Sequence, residues 1–307
     1  MARFMEILGK THIDFMGKRR YAFAFSGLLA ALGLITVIQI ALGAANLGID
    51  FAGGTAVQLK FEQPIRIDEA RAALIKHGLR DAELQEFTAD NKLLIRVKKQ
   101  SVIQEKVAER IVQVFQQEYP QKPFVVDSST EIGPTIGKRL QRDAVTAITF
   151  AMLGIIFYIA VRFEFRFGVA AAIATMHDVL AVLGIFYLMD KEVTLLIVTA
   201  LLTLAGYSLT DTVVVFDRIR ENLRFRHKES IEAVINSGIN QVLSRTIVVS
   251  STVLLVLVAL FFFGGEVIHD FSLALLLGVL VGTYSSIFVA SPLLLLWPKG
   301  KGRLMKQ

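Results

Sequence analysis

The sequence predicts a polytopic α-helical membrane protein, with six transmembrane helices and one external α+β domain between the first two. Three observations carry this. Hydrophobic residues make up 54% of the 307, and they gather into nearly charge-free runs of about 17–25 residues, the length that crosses a bilayer core. Lys and Arg, whose excess gives a net charge of +6, fall mainly in short segments beside those runs. There they are topology signals rather than a nucleic-acid footprint. Residues 44–143 drop in hydropathy and switch between strand and helix periods, the pattern of a small soluble domain. With no cysteine in the chain, disulfides, thiolate metal sites and a cysteine nucleophile are excluded.

Residues 1–20 carry Lys10, Lys18, Arg19 and Arg20 directly before the apolar run at 21–43. That run exceeds the roughly 7–15-residue core of a secretory signal, so it reads as a retained first span behind a cytoplasmic N-terminus. The external domain opens on GIDFAGGT, from Gly48 to Thr55. Asp50, Phe51, Gly53, Gly54 and Thr55 are its motif, and the glycine pair lets the backbone turn or approach a neighbour closely. On spacing alone this is a turn between the membrane and a strand.

Thr55 to Phe61 alternates as a strand, Asp68 can cap the helix that Gly78 ends, and 83–88 and 92–98 read as a hairpin. His77, beside Gly78, reads as a C-terminal cap. Ser101 with Gln104 forms a capping box for a second helix through Val107, Ile111, Val114 and Phe115, and Phe124 to Asp127 is the last strand. The order β-α-β-β-α-β is that of a ferredoxin-like split unit, a fold that hosts many functions. Lys98, Lys99, Lys106 and Arg110 read as a solvated face, and Gly133-Pro134 breaks the last strand.

The remaining spans are expected near 144–161, 167–189, 193–216, 245–263 and 271–297, with a tail at 298–307. Basic clusters then fall before the first span, after the second and fourth, and at the end, all on one side of the membrane. By the positive-inside rule both termini are cytoplasmic and residues 44–143 lie outside, in the periplasm of a bacterium.

Polar residues within the spans are the candidate chemistry. Asp211 lies among Thr210, Thr212 and three valines, roughly 9 Å along the helix from the charged Asp217–Arg218 boundary. An Asp at a span's centre costs about 2.5–3.5 kcal/mol on insertion scales, which calls for a partner, a water-filled cavity or a proton. Arg245 opens the fifth span. It is a snorkelling anchor or, because the chain returns to the same side, the partner of Asp211. His177 and Asp178 sit deeper, in the third span, about 100° apart on the helix, as a structural network or a second proton site. Gly278 and Gly282 form a GxxxG close-packing face. No phosphate loop, HExxH or GxSxG is present, so the chain is expected not to be an enzyme and to need no cofactor or metal.

GIDFAGGT at Gly48, IGPTIGKRL at Ile132, MHDVLAVLGI at Met176, GYSLTDTVVVFDRIREN at Gly206 and SRTIVVSSTVLL at Ser244 together resemble the SecF subunits of the SecD/SecF family, relatives of the resistance-nodulation-division transporters. The motifs run from the first span to the sixth in the family's order. The resemblance implies a complex with SecD as a second six-span half, association with the SecYEG channel and YajC, and an external domain acting on the unfolded translocating polypeptide while protons cross the bacterial inner membrane. By motif, Asp211 matches the transmembrane acid of the fourth span, Arg245 the basic residue opening the fifth, and Asp178 the acid of the third-span motif. Two other readings stay open: half of a proton-driven small-molecule or lipid exporter of the same superfamily, and a non-transporting scaffold of the channel complex.

Overall fold

The computed structural model describes residues 11–80, 82–87, 90–98, 106–162, 164–225 and 229–296. The capping box expected at Ser101 and Gln104, Lys99, and the tail 298–307 lie outside the described residues. In chain order the elements are α1 (Arg19–Ala41), α2 (Ile49–Ala52), β1 (Gly54–Phe61), α3 (Ile67–Lys76), β2 (Glu83–Phe87), β3 (Lys92–Lys98), α4 (Val107–Glu118), β4 (Phe124–Ile132), α5 (Pro134–Arg162), α6 (Phe165–Leu188), α7 (Leu195–Phe225), α8 (Ile231–Phe263) and α9 (Gly265–Ser285). A π-helical turn, Ser286–Ala290, continues α9. Two compact units result: Met1–Asn46, Ile148–Lys191 and Leu196–Gln307 in one, Leu47–Ala147 and Glu192–Leu195 in the other.

Among the described residues six helices are long and apolar enough to cross a membrane: Met16–Ala41, Pro134–Ile159, Phe165–Leu188, Leu195–Phe225, Ile231–Phe263 and Val267–Leu296. Several are longer than the apolar runs alone indicate. α5 begins at Pro134 rather than 144, α7 continues to Phe225 rather than 216, and α8 begins at Ile231 rather than 245. The added turns of α5 and α7 carry Arg139, Gln141, Arg142, Arg218, Arg220, Glu221 and Arg224, which propagate a helix as well as Leu does, while those of α8 alternate Ile, Val and Leu with Asn, Ser and Gln. Pro134 takes the first helical position, where a missing N–H leaves nothing unpaired. Ser230 caps α8, its side chain accepting from the Ala233 N–H at 3.2 Å.

In the helical unit α1 packs mainly on α6, and two glycines set the crossing. A Cβ on Gly33 would lie 2.0 Å from the Leu180 carbonyl oxygen, and one on Gly184 would lie 2.7 Å from the Gly33 nitrogen. Backbone therefore meets backbone, the close approach that small residues allow in membrane helices. Residues before α1 are clasped by the start of α8: Asn236 Oδ1 accepts from the N–H groups of Phe15 and Met16, both at 3.0 Å, and Asn240 Oδ1 accepts from the Ile13 N–H at 2.9 Å. Phe150, Phe157 and Val161 on α5 and Leu255, Phe262 and Phe263 on α8 stay exposed, as suits helices that face lipid or a partner.

In the α+β unit the sheet order is β2-β3-β1-β4 with every neighbouring pair antiparallel. This is the ferredoxin-like order the sequence predicts. Alternation along β1 puts Val57, Leu59 and Phe61 into the core with Leu93, Ile95 and Val97 of β3, against Ala70, Ala73 and Leu74 of α3 and Ile111, Val114 and Phe115 of α4. β4 runs to Ile132, longer than expected, and Gly133-Pro134 ends it. Asp68 lies in the first turn of α3 rather than at its cap, which Arg66 occupies; there its charge still favours the helix dipole. His77 is the C-cap residue, and its Nε2 lies 2.8 Å from Glu118 Oε1.

Glu192–Leu195, the end of the α6–α7 turn and the first residue of α7, belong to this unit. Gly48 N donates to the Val193 carbonyl at 3.0 Å. The Glu192 side chain is only 10% exposed, with Arg96 Nη1 at 3.3 Å and Lys98 Nζ at 3.7 Å. Burial, and after it the neighbouring Glu83 carboxylate, pushes the Glu192 carboxyl up to about 8 against the pull of Arg96 and Lys98. Burial acts the same way on Glu83, but the neighbouring Glu192 carboxyl and the Lys98 ammonium, which donates to Glu83 Oε1 at 2.7 Å, outweigh it and hold that carboxyl below its usual value. The pair thus keeps one proton that the undocked segment would release. Docking is strongest below the ordinary glutamate range and weakens as pH rises from there toward about 8. The thermal midpoint of the purified chain is expected to fall by a few degrees between pH 5.5 and 8.5, and Glu192→Gln is expected to flatten that slope. An equal slope in both proteins would place the titration elsewhere.

Candidate functional site

The GIDFAGGT motif folds as one turn of helix, α2, followed by a backbone reversal. Gly53 has φ 74° and Gly54 φ 151°, and a Cβ on Gly54 would lie 2.4 Å from the Val97 carbonyl oxygen, so the second position admits no side chain. Phe51 and Thr55 are buried. Asp50 has a further role that spacing did not reveal: its Oδ2 accepts from the Leu195 N–H at 2.9 Å, meeting one of the unpaired donors that begin α7.

The polar residues of the helical unit gather between α6, α7, α8 and α9. Asp178 on α6 is fully buried. Its Oδ2 accepts from Ser208 of α7 and, at 2.8 Å, from Ser285 at the end of α9. His177 Nδ1 lies 3.0 Å from its Oδ1, so the ring turns back across the angle that separates sequence neighbours on a helix. His177 Nε2 and Thr175 Oγ1 are buried without a hydrogen-bond partner. Gly278 and Gly282 bring α9 against α7: Cβ atoms there would lie 2.6 Å from Leu204 Cδ1 and 3.1 Å from Ser208 Cβ. That close approach brings Ser285 within reach of Asp178.

Asp211 stands on the next turns of α7. It faces Thr246 of α8, Ser286 of the π-helical turn and the charge of Arg245. Its Oδ2 is buried without a hydrogen-bond partner, as is Thr246 Oγ1. Among the described residues no ion pair joins Asp211 to Arg245; the guanidinium acts on it from a distance and is exposed on α8. More hydroxyls line the same seam: Thr212 Oγ1 lies 3.0 Å from Ser286 Oγ, and Ser250 Oγ lies 2.7 Å from Thr283 Oγ1. Ser208, Ser250, Ser285, Ser286 and Thr246 carry no hydropathy signal in an apolar helix. Only the packing of the spans identifies them.

Fold and site together define a six-span integral membrane protein that carries a split βαβ domain after its first span and two acids in a hydroxyl-lined seam between its last four. The family model for the C-terminal region of protein export membrane proteins SecD/SecF matches residues 112–300, and that for the SecD/SecF GG motif matches residues 45–65. The chain is 54% identical over 305 residues to the protein translocase subunit SecF of Thermodesulfovibrio yellowstonii, covering 99% of this chain and 100% of that one. It is 45% identical to that of Desulfurispirillum indicum, covering 93% and 92%. The crystal structure of SecDF from Thermus thermophilus, a translocon-associated membrane protein, superposes with a TM-score of 0.82 at 35% identity over 96% of this chain. The chain spans 39% of the length of that SecDF. The chain belongs to the SecD/SecF family of protein-export membrane proteins.

Proposed function

We propose that the chain works with SecD, as its second six-span half, to promote translocation of unfolded polypeptides across the bacterial inner membrane at the expense of the proton gradient. It does so beside the SecYEG channel and YajC, and without enzymatic chemistry of its own. Both termini lie in the cytoplasm and the α+β unit outside it. The observation that carries the proton reading is Asp211: a carboxyl oxygen with no hydrogen-bond partner, buried between membrane helices and facing a hydroxyl that also lacks one. A group so placed favours a proton or a water. Asp178, by contrast, has its partners, and we assign it to holding α6, α7 and α9 together, with His177 beside it.

Arg245 supports the pairing with SecD. An arginine exposed on a membrane helix is costly against lipid, and a second half packed there would cover it and close the seam. Six spans also fit one half of a pseudosymmetric transporter. The solved SecDF structure places sequences like this one in a single chain with a further portion, which supports the same partnership.

The test is export of a precursor into vesicles that carry Asp211→Asn, with and without a proton gradient, and complex assembly checked in parallel. Asparagine keeps the shape and cannot cycle a proton. The gradient-dependent part of export is expected to disappear with assembly intact. Unchanged gradient dependence would remove Asp211 from the proton path and favour the scaffold reading.

A further inference from the structure

Pro292 explains why the sixth span leaves α-helical geometry where it does. It has no N–H to offer the carbonyl one turn back, and its ring crowds that carbonyl. The chain before it widens into the π-helical turn Ser286–Ala290, and the Ser291 hydroxyl donates to the Ser286 carbonyl oxygen at 2.8 Å across that turn. Two adjacent serines stand at the start of this turn, both fully buried. Each has a single hydroxyl proton and two acceptors in reach.

For Ser285 the acceptors are Asp178 Oδ2 at 2.8 Å and the Gly282 carbonyl oxygen at 3.2 Å. For Ser286 they are the same Gly282 carbonyl oxygen, at 3.0 Å, and the Asp211 carboxyl that it faces. While Ser286 donates to Gly282, its oxygen can accept from Thr212 Oγ1 at 3.0 Å. From these positions we infer that Ser286 is a positioning residue for Asp211, and that the Ser285–Ser286 pair links the two acids through the Gly282 carbonyl.

The link follows from counting protons. An ionised Asp211 claims the Ser286 proton, which leaves the Gly282 carbonyl to Ser285. A protonated Asp211 needs no donor, Ser286 turns back to Gly282, and Ser285 is left wholly to Asp178. The only bond that forms or breaks is the carboxyl O–H of Asp211, its proton exchanged with the seam; the two serine hydroxyls merely rotate. The titratable groups facing this cluster are Asp211 on α7, Arg245 on α8, and His177 and Asp178 on α6. The π-helical turn suits the role, since such turns occur frequently at functional sites.

The inference rests on the proton reading of Asp211, and the experiment separates the two. Export by vesicles bearing the full complex is measured across a series of external pH values for Ser286→Ala, for the exchanged pair Ser286→Thr with Thr212→Ser, and for Asp211→Asn. The exchanged pair keeps both hydroxyls and the same total volume. Ser286→Ala is expected to lower gradient-dependent export by roughly tenfold and to move the pH at which it is half-maximal, with assembly unchanged, and the exchanged pair is expected to restore both. If Ser286→Ala exports normally with an unmoved profile while Asp211→Asn does not, the positioning role fails and the proton reading stands. If Asp211→Asn also exports normally, the proton reading itself falls. A loss in Ser286→Ala that tracks loss of assembled complex, with no shift in pH profile, makes the hydroxyl a packing element and overturns the inference.

Discussion

Gly33→Leu is expected to leave the chain without a seated first span, and its membrane-inserted level should fall by roughly tenfold or more. The reason lies in one contact. Even the first carbon of a side chain on Gly33 would sit 2.0 Å from the Leu180 carbonyl oxygen, whereas a C–H···O contact needs roughly 3.3–3.6 Å. The two helices must part by about 1 Å or more to admit alanine, and a gap of about 0.5–1 Å already forfeits a quarter to a half of each dispersion contact. Between membrane helices packing is the main attraction, because lipid is as apolar as leucine. Gly33→Ala should therefore be intermediate, and a compensating change on α6 is unavailable because the obstacle is backbone. Immunoblots of membrane fractions, with a pulse-chase to read degradation, give the answer; wild-type levels for Gly33→Leu would mean that α1 does not rest on α6 in the membrane.

The second large effect separates the two acids. Asp178→Leu is expected to destabilise the helical unit, because Ser208 would lose its acceptor, Ser285 the nearer of its two, and His177 the carboxylate beside it. A buried donor left unpaired costs about 1–3 kcal/mol. Even with the smaller values typical of membrane helices, about 0.6 kcal/mol on average, the sum of three losses is on the order of 2 kcal/mol or more. Asp178→Asn should behave otherwise. Its one carbonyl oxygen can still accept from both serines, and its amide keeps a polar group beside His177 Nδ1. Assembly and gradient-dependent export should survive. If Asp178→Asn instead assembles and loses gradient dependence, the proton passes through the third span, and Asp211 is not its sole carrier.

The sequence showed some of this site clearly and the rest not at all. A carboxylate in an apolar run is visible because charge and hydropathy conflict there, which is how Asp178 and Asp211 stand out. Strand order in the α+β unit was legible for a similar reason: Val57, Leu59 and Phe61 alternate with polar neighbours, and two amphipathic helices fall between the strands. The hydroxyls around the acids give no such conflict. Ser285 and Ser286 become partners only because Gly278 and Gly282 draw α9 against α7, and that is a fact of tertiary packing. Glu192 shows the opposite case. In sequence it is one charge in a polar turn, and in the fold it is buried beside Glu83, Arg96 and Lys98. The helix ends escaped because arginine and glutamine continue a helix beyond the membrane as readily as within it.

The clasp that Asn236 and Asn240 make on the segment before α1 joins residues 221 and 227 positions apart. During synthesis at about 5–20 residues per second, those partners follow one another from the ribosome by roughly 10–45 s. For that interval the amide groups of Ile13, Phe15 and Met16 have only water or lipid headgroups to bond, and the nascent first helix waits in the bilayer without its later neighbours. A chain stalled before its fifth span would keep that end open, available to a chaperone or a protease, and its closing would mark the arrival of the first turns of α8.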